Sequence, residues 1–289
     1  MKNKIEWLES HPVVYALIVV VAVAVLGETV QGCMASVADE IASMVMYGSV
    51  NPAKVNDLGL VNTAIQLLSS VVVLLLFWFA FRKDLRGFFN VRRFAAAFLL
   101  GWGVLVASTC GLISTIVEQT NYGNFGAALL MGMQPGIGEE ILDRVIPICL
   151  VMRSRNRERL IVPVIVFTSA GFGLTHGFNV FAGADPVTTL FQVIYASCIG
   201  FLFAVIYLKT GDMWITMLLH TVIDTVYFLG AEAQRGGGVL TQGTNVADAV
   251  FMLACAALYF ANAFLLYRKT SKEEILNTWS GIWKSQAEN

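Results

Sequence analysis

Seven ionisable side chains stand in stretches that are otherwise apolar, and their spacing sorts them into three groups. The first is GEEILDRVI (Gly138–Ile146), which carries Glu139, Glu140, Asp143 and Arg144. The second is His176, in FGLTHGFN. The third is His220 with Asp224, in HTVID. Ionisable groups inside membrane-length apolar runs are costly and mark function. On a helix, residues four apart share a face. Glu140 and Arg144 can therefore pair along their helix, neutralising each other and holding the helix in place. Glu139 points about 100° away with a free carboxylate, and Asp143 lies under it on that second face. Two close carboxylates do not easily both stay ionised unless a cation or a protonated histidine is near. His220 and Asp224 share a face, and so do Phe172 and His176. Three helices thus each present a polar face, and one shared pocket is the least costly way to bury them.

The chemistry such a pocket supports is limited. Two imidazoles with carboxylates suit a zinc-like divalent metal, with a carboxylate to activate water. Without a metal, a glutamate and a histidine can still polarise a water between them. Pro135, Gly136 and Gly138 predict a break or a helix start just before the glutamates. Glu139 and Glu140 would then sit near the positive end of a helix dipole, which favours their ionised forms. A break would also let water or a substrate backbone approach.

The elements that must position these groups are membrane helices. The chain of 289 residues is 57% hydrophobic and 13% charged, against about 25% charged in soluble domains. Its mean hydropathy is +0.69. A net charge of -1 gives no basic face for nucleic acid. Cys33, Cys110, Cys149, Cys198 and Cys255 are scattered and read as small apolar packing residues. A spanning helix needs about 20 mostly apolar residues. Eight candidates follow, at 12–30, 60–81, 94–117, 128–152, 160–181, 188–208, 213–230 and 246–267, in an all-α polytopic membrane bundle. Basic residues check the count, because Lys and Arg collect in cytoplasmic loops. Lys2, Lys4, Arg82, Lys83, Arg86, Arg92, Arg93, Arg153, Arg155, Arg157, Arg159, Lys209, Arg268, Lys269, Lys272 and Lys284 all fall on one side. The other side receives only Lys54 and Arg235. An integral multi-pass protein with both termini cytoplasmic is expected, in the cell membrane if the source is prokaryotic. The first span is read as a retained helix, because Glu6 and Glu9 and a poor cleavage site argue against a signal peptide.

Two segments read as membrane-surface helices. In 271–289, Ile275, Trp279, Ile282 and Trp283 fall on one face, as tryptophan anchors would. Residues 34–46 show a weaker pattern. Residues 235–243, RGGGVLTQG, read as an external loop. Asn179 reads as a helix cap, Phe172 as packing against the His176 ring, and Lys209 and Asp212 as helix-end residues.

The three polar groups resemble the motifs of the CAAX prenyl protease and bacteriocin-processing family (CPBP, also called Abi). Those motifs are E-E-x-x-x-R, F-x-x-x-H and H-x-x-x-N/D. Here they occur in order as Glu139-Glu140-x-x-x-Arg144, Phe172-x-x-x-His176 and His220-x-x-x-Asp224. Each is weak alone; three in order on separate helices are fairly specific. The resemblance covers residues 94–230, between an N-terminal part (1–93) with two spans and a basic loop, and a C-terminal part (231–289) with the last span and the surface helix. It implies an intramembrane endopeptidase, metal-dependent or glutamate-dependent, that hydrolyses a peptide bond of a membrane-associated or lipidated protein or peptide. Glu139 would activate water with His176 as its partner, and Glu140 would support Arg144. His220 and Asp224 would bind a metal or stabilise the oxyanion. The metal set would be Glu139, His176, His220 and Asp224. Two positions depart from the pattern. Asp224 replaces an Asn that could donate to an oxyanion, so it is expected to be protonated, to bind a cation or to orient His220, the latter two being preferred. Asp143 stands where an apolar residue is expected. It is an extra ligand, a substrate contact or a water-facing group. Two other classes stay open: an ion- or proton-coupled transporter, weakened by the lack of an internal repeat, and a non-catalytic immunity or regulatory binding protein.

Overall fold

The computed structural model describes residues 10–50, 59–88, 93–117, 123–230 and 243–284. They form a bundle of helices. Helix α1 is Pro12–Tyr47, α2 is Leu60–Phe81, and α3 runs over Phe94–Val117 through a short 3-10 stretch. Helix α4 is Phe125–Glu140, followed by a π-helical segment, Ile141–Val145, and then α5, Ile146–Met152. Helix α6 is Arg157–His176, α7 is Pro186–Thr210, α8 is Met213–Phe228, α9 is Val246–Lys269 and α10 is Lys272–Ile282. Six of these stretches are long and apolar enough to cross a membrane: α1, α2, α3, α6 with its 3-10 extension to Phe181, α7 and α9. The other two expected spans are also helical. One is α4, the π segment and α5 in series, interrupted by the charged motif; the other is α8, of 16 residues. The expected loop at 235–243 lies outside the described residues except for Gly243.

Asn124, Asp185, Asp212, Asn245 and Ser271 each accept a hydrogen bond from a backbone N–H in the first turn of the helix they open, as N-caps do. Asp212 therefore sits at a helix end, as expected. Asn179 does not cap a helix with its side chain; its Nδ2 donates to Gln192 Oε1 at 2.9 Å.

Three expectations are corrected. Residues 34–46 are not a separate surface helix, because α1 continues without interruption to Tyr47 and ends at Gly48 in the left-handed region. The helix does not break at Pro135, Gly136 or Gly138 either. Helix α4 runs through all three, so Glu139 and Glu140 sit at its C-terminal end rather than at a helix start. The irregularity comes later and has a different cause. Pro147 has no N–H and its ring crowds the carbonyl four residues back, that of Asp143. The backbone widens there, and Ile146 N–H donates to Ile141 O, a π-type bond. Such bulges often mark functional sites.

The third correction concerns the C-terminal helix. Ile275, Trp279 and Ile282 of α10, and Trp283 after it, are buried against the protein rather than left to lipid. The last carbonyls of a helix lack partners within it, and α10 supplies them. Trp279 Nε1 donates to Leu208 O at 2.9 Å and Thr278 Oγ1 to Lys209 O at 3.1 Å, while Trp283 Nε1, just after α10, donates at 3.1 Å to Cys149 O, which also accepts from Arg153 N–H. Around this dock, Arg153 pairs with Asp84 at 2.6 Å, Lys209 with Glu274 at 2.7 Å, and Arg157 donates to Ser280 at 2.7 Å. Basic loops predicted to share one side of the membrane thus meet at one end of the bundle. Trp279→Phe leaves Leu208 O without its donor and is expected to cost about 1–3 kcal/mol. A thermal midpoint in detergent equal to that of the unsubstituted protein would contradict the dock's role.

Helices α4 and α8 approach most intimately where the site forms. A Cβ on Gly136 would run into Thr221, whose backbone N would lie 2.7 Å away. Small residues allow such approach in membranes. Gly136→Ala must push α8 aside and is expected to destabilise by about 1–3 kcal/mol, read as a lower unfolding midpoint. An unchanged midpoint would show that the two helices can separate at no cost.

Candidate active site

Glu140 and Arg144 are the buried centre of the site. Both side chains are fully buried, and Arg144 Nη1 pairs with Glu140 Oε1. This is the expected i,i+4 pair. The guanidinium lies 4.0 Å from the Phe172 ring centroid and 5.5 Å from that of Phe203. These two aromatic faces offer a cation its favourable side. They matter here because Arg144 Nε and Nη2 and Glu140 Oε2 have no hydrogen-bond partner among the described residues.

Glu140 has a second partner that sequence spacing does not reveal. His220 Nδ1 donates to Glu140 Oε1 at 2.8 Å, across 80 residues of chain. The other ring nitrogen, Nε2, faces Asp224 Oδ2 at 3.4 Å and Glu139 Oε2 at 3.7 Å. His220 is therefore held between three carboxylates. The shared face of His220 and Asp224 is as expected. So is the freedom of Glu139: its side chain is 34% exposed and touches His220 only at a distance too long for a hydrogen bond. Asp143 lies within electrostatic reach of Glu139 and has no hydrogen bond among the described residues.

His176 stands apart from this cluster. Its Nδ1 donates to Phe172 O at 2.8 Å, which leaves Nε2 as the nitrogen outside that bond. No ion pair joins it to Glu139 among the described residues, so the expected Glu139–His176 couple is not in contact. Phe172 connects the two imidazoles by packing. Its ring centroid is 4.8 Å from that of His176 and 5.8 Å from that of His220, both edge-on. The expected metal set of Glu139, His176, His220 and Asp224 is likewise not assembled. Among the described residues, no three His, Cys, Asp or Glu side chains are arranged to hold a metal ion. His220 has its Nδ1 committed to Glu140, and His176 is turned to its own helix.

The chain's match to known proteins falls on these helices. Residues 121–226 match the family model described as Type II CAAX prenyl endopeptidase Rce1-like. This segment resembles that family. No curated protein and no solved structure matches the chain. The Rce1-like segment contains all three motifs and every site residue expected from them. The match lies among the apolar helices of the bundle. It leaves out α1, α2, α3, α9 and α10.

One acidic residue near the site was missed by the sequence reading. Glu28 of α1 lies within electrostatic reach of Glu139 and Asp143. Placing the end of the first span at residue 30 put Glu28 at a helix edge, where a carboxylate meets water. In a helix that reaches Tyr47 it sits near the middle. An acidic residue inside 36 continuous helical residues was the available signal.

Proposed function

We propose that this protein is an intramembrane endopeptidase that hydrolyses a peptide bond of a membrane-associated or lipidated protein or peptide. The observation that carries this reading is the contrast between two adjacent glutamates. Glu140 is buried and engaged by Arg144 and His220, whereas Glu139 has no hydrogen bond among the described residues and faces His220 Nε2 at 3.7 Å. A carboxylate left free beside an oriented imidazole is suited to general base work.

In this reading Glu139 takes a proton from water as the water oxygen attacks the scissile carbonyl carbon. The resulting oxyanion accepts a hydrogen bond from His220 Nε2–H of the protonated ring. Glu140 and Asp224 flank the ring and hold it in place. Glu139 then passes its proton to the departing amine as the C–N bond breaks. Asp224 thus acts through His220, which accounts for an Asp where Asn is the alternative. His176 Nε2 is left to hold the water or the leaving group. If the protein also holds a divalent metal, that ion would supply Lewis acidity, and the side chains would first have to rearrange around it. Both termini and the basic end of the bundle are assigned to the cytoplasm by their Lys and Arg content.

The test compares peptide termini in membranes and medium from cells carrying the unsubstituted protein or Glu139→Ala at matched abundance. Termini that require Glu139 support a peptidase. Identical termini beside a phenotype that still requires the protein would instead support transport or non-catalytic binding.

A further inference from the structure

Phe203 of α7 lies outside all three motifs, yet it reaches both groups that Glu140 holds. Arg144 Nη1 and His220 Nδ1 converge on one oxygen, Glu140 Oε1. The Phe203 ring centroid is 5.5 Å from the guanidinium carbon of Arg144. It is 5.8 Å from the His220 ring centroid, with the two planes at 42°. Phe172 makes the same two contacts from α6, at 4.0 Å and 5.8 Å. Two buried aromatic rings from different helices therefore each lie within contact range of both the guanidinium and the imidazole.

A glycine one turn away sets this approach. Gly200 precedes Phe203 by three residues and shares its helix face. A Cβ on Gly200 would lie 3.1 Å from Ser169 Cα of α6 and 3.2 Å from Arg144 Nη2. Without that Cβ, α7 comes in against α6 and the guanidinium, and Phe203 is carried to the imidazole. The His220 ring needs such a neighbour. Its Nδ1 is firmly bonded to Glu140 at 2.8 Å, but Nε2 stands 3.4 Å from Asp224 and 3.7 Å from Glu139. The outer torsion of a histidine is broad and roughly two-fold, so a firm bond at one nitrogen still lets the ring plane tilt. Rings packed on the imidazole restrict that tilt.

We propose that Phe203 is a positioning residue of the peptidase site, which with Phe172 holds the plane of the His220 imidazole so that Nε2 stays aimed at the oxyanion formed beside Glu139. This rests on the peptidase reading above. Phe203 acts through His220 rather than on the substrate. The role calls for a ring, because a rigid flat face can pack on two planar groups at once. Leu or Met fills much of the same volume, but neither offers such a face.

The experiment measures initial rates of the purified protein in liposomes on a synthetic peptide that spans a junction whose cleavage in membranes requires Glu139. The unsubstituted protein is compared with Phe203→Leu, Phe203→Met and Phe203→Tyr, each rate taken per amount of folded protein. Leu and Met remove the ring, and Tyr keeps it. Loss of the ring is expected to lower kcat by about 10–100-fold, the scale of a misplaced catalytic group, while KM stays as it was. Phe203→Tyr is expected to keep most of kcat. A role in packing alone would lower the unfolding midpoint and the amount of folded protein, but not kcat per folded molecule. Phe203→Met carries the test if Phe203→Leu does not accumulate. An unchanged kcat without the ring, a rise in KM with kcat held, or an equal loss in Phe203→Tyr would overturn this inference alone and leave Phe203 as core packing. If no junction requires Glu139, the peptidase reading falls, and this inference with it.

Discussion

Glu139→Gln is expected to lower peptide-bond cleavage by about 10²–10⁴-fold, the usual contribution of a positioned general base. The amide has nearly the shape of the carboxylate but cannot take a proton from water. The fold should be indifferent to the change. Among the described residues Glu139 has no hydrogen bond to lose, and it is 34% exposed, so no buried partner among them is left unsatisfied. Thermal unfolding in detergent is therefore expected to stay within a degree or two while activity collapses. Cleavage within tenfold of the unsubstituted rate would remove Glu139 from the chemistry. A large drop in unfolding midpoint would mean that the residue is structural.

Arg144→Met is expected to show the opposite balance, with stability lost first. Removing one partner of a buried ion pair costs about 3–5 kcal/mol, because the other charge is left uncompensated. Here that charge is Glu140, fully buried, with one oxygen already lacking a hydrogen-bond partner among the described residues. The substitution also takes the cation from the face of Phe172, the ring that packs against both imidazoles. The double variant Glu140→Gln/Arg144→Met removes both charges and should recover part of the lost stability. It should not recover activity, because His220 keeps its ring orientation through Glu140. If Arg144→Met unfolds at the unsubstituted midpoint, the pair is not the anchor described here. If the double variant is no more stable than the single one, packing rather than buried charge accounts for the loss.

Local spacing and regional composition were legible in the sequence. Eight apolar runs correspond to eight helical stretches, and two four-residue spacings placed Glu140 by Arg144 and His220 by Asp224 as found. Contacts between distant segments were not legible. The Glu140–His220 bond joins residues on α4 and α8, and helical periodicity says nothing about such a pairing. Pro135, Gly136 and Gly138 are strong breaker signals in the sequence, yet the irregularity lies at Ile141–Val145. A proline removes one bond from a helix and need not break it within a bundle; Pro147 is the residue next to the π segment. The tryptophans of α10 look alike in sequence whether they enter lipid or cap the ends of α5 and α7. Only the partner carbonyls, Leu208 O and Cys149 O, distinguish the two. Glu28 was overlooked because a span was assigned the length of a bilayer, whereas α1 runs on past it.

The most direct test of the central claim is hydrolysis by purified protein in water enriched in oxygen-18. The unsubstituted protein and Glu139→Gln are placed in liposomes together with membrane proteins from cells that lack it. New peptide termini are then read by mass spectrometry. The unsubstituted protein is expected to generate new C-termini that each carry one heavy oxygen from solvent, and Glu139→Gln to generate none above background. New termini without solvent oxygen, or equal labelled termini from both proteins, would contradict an account in which Glu139 activates the water that cuts the chain.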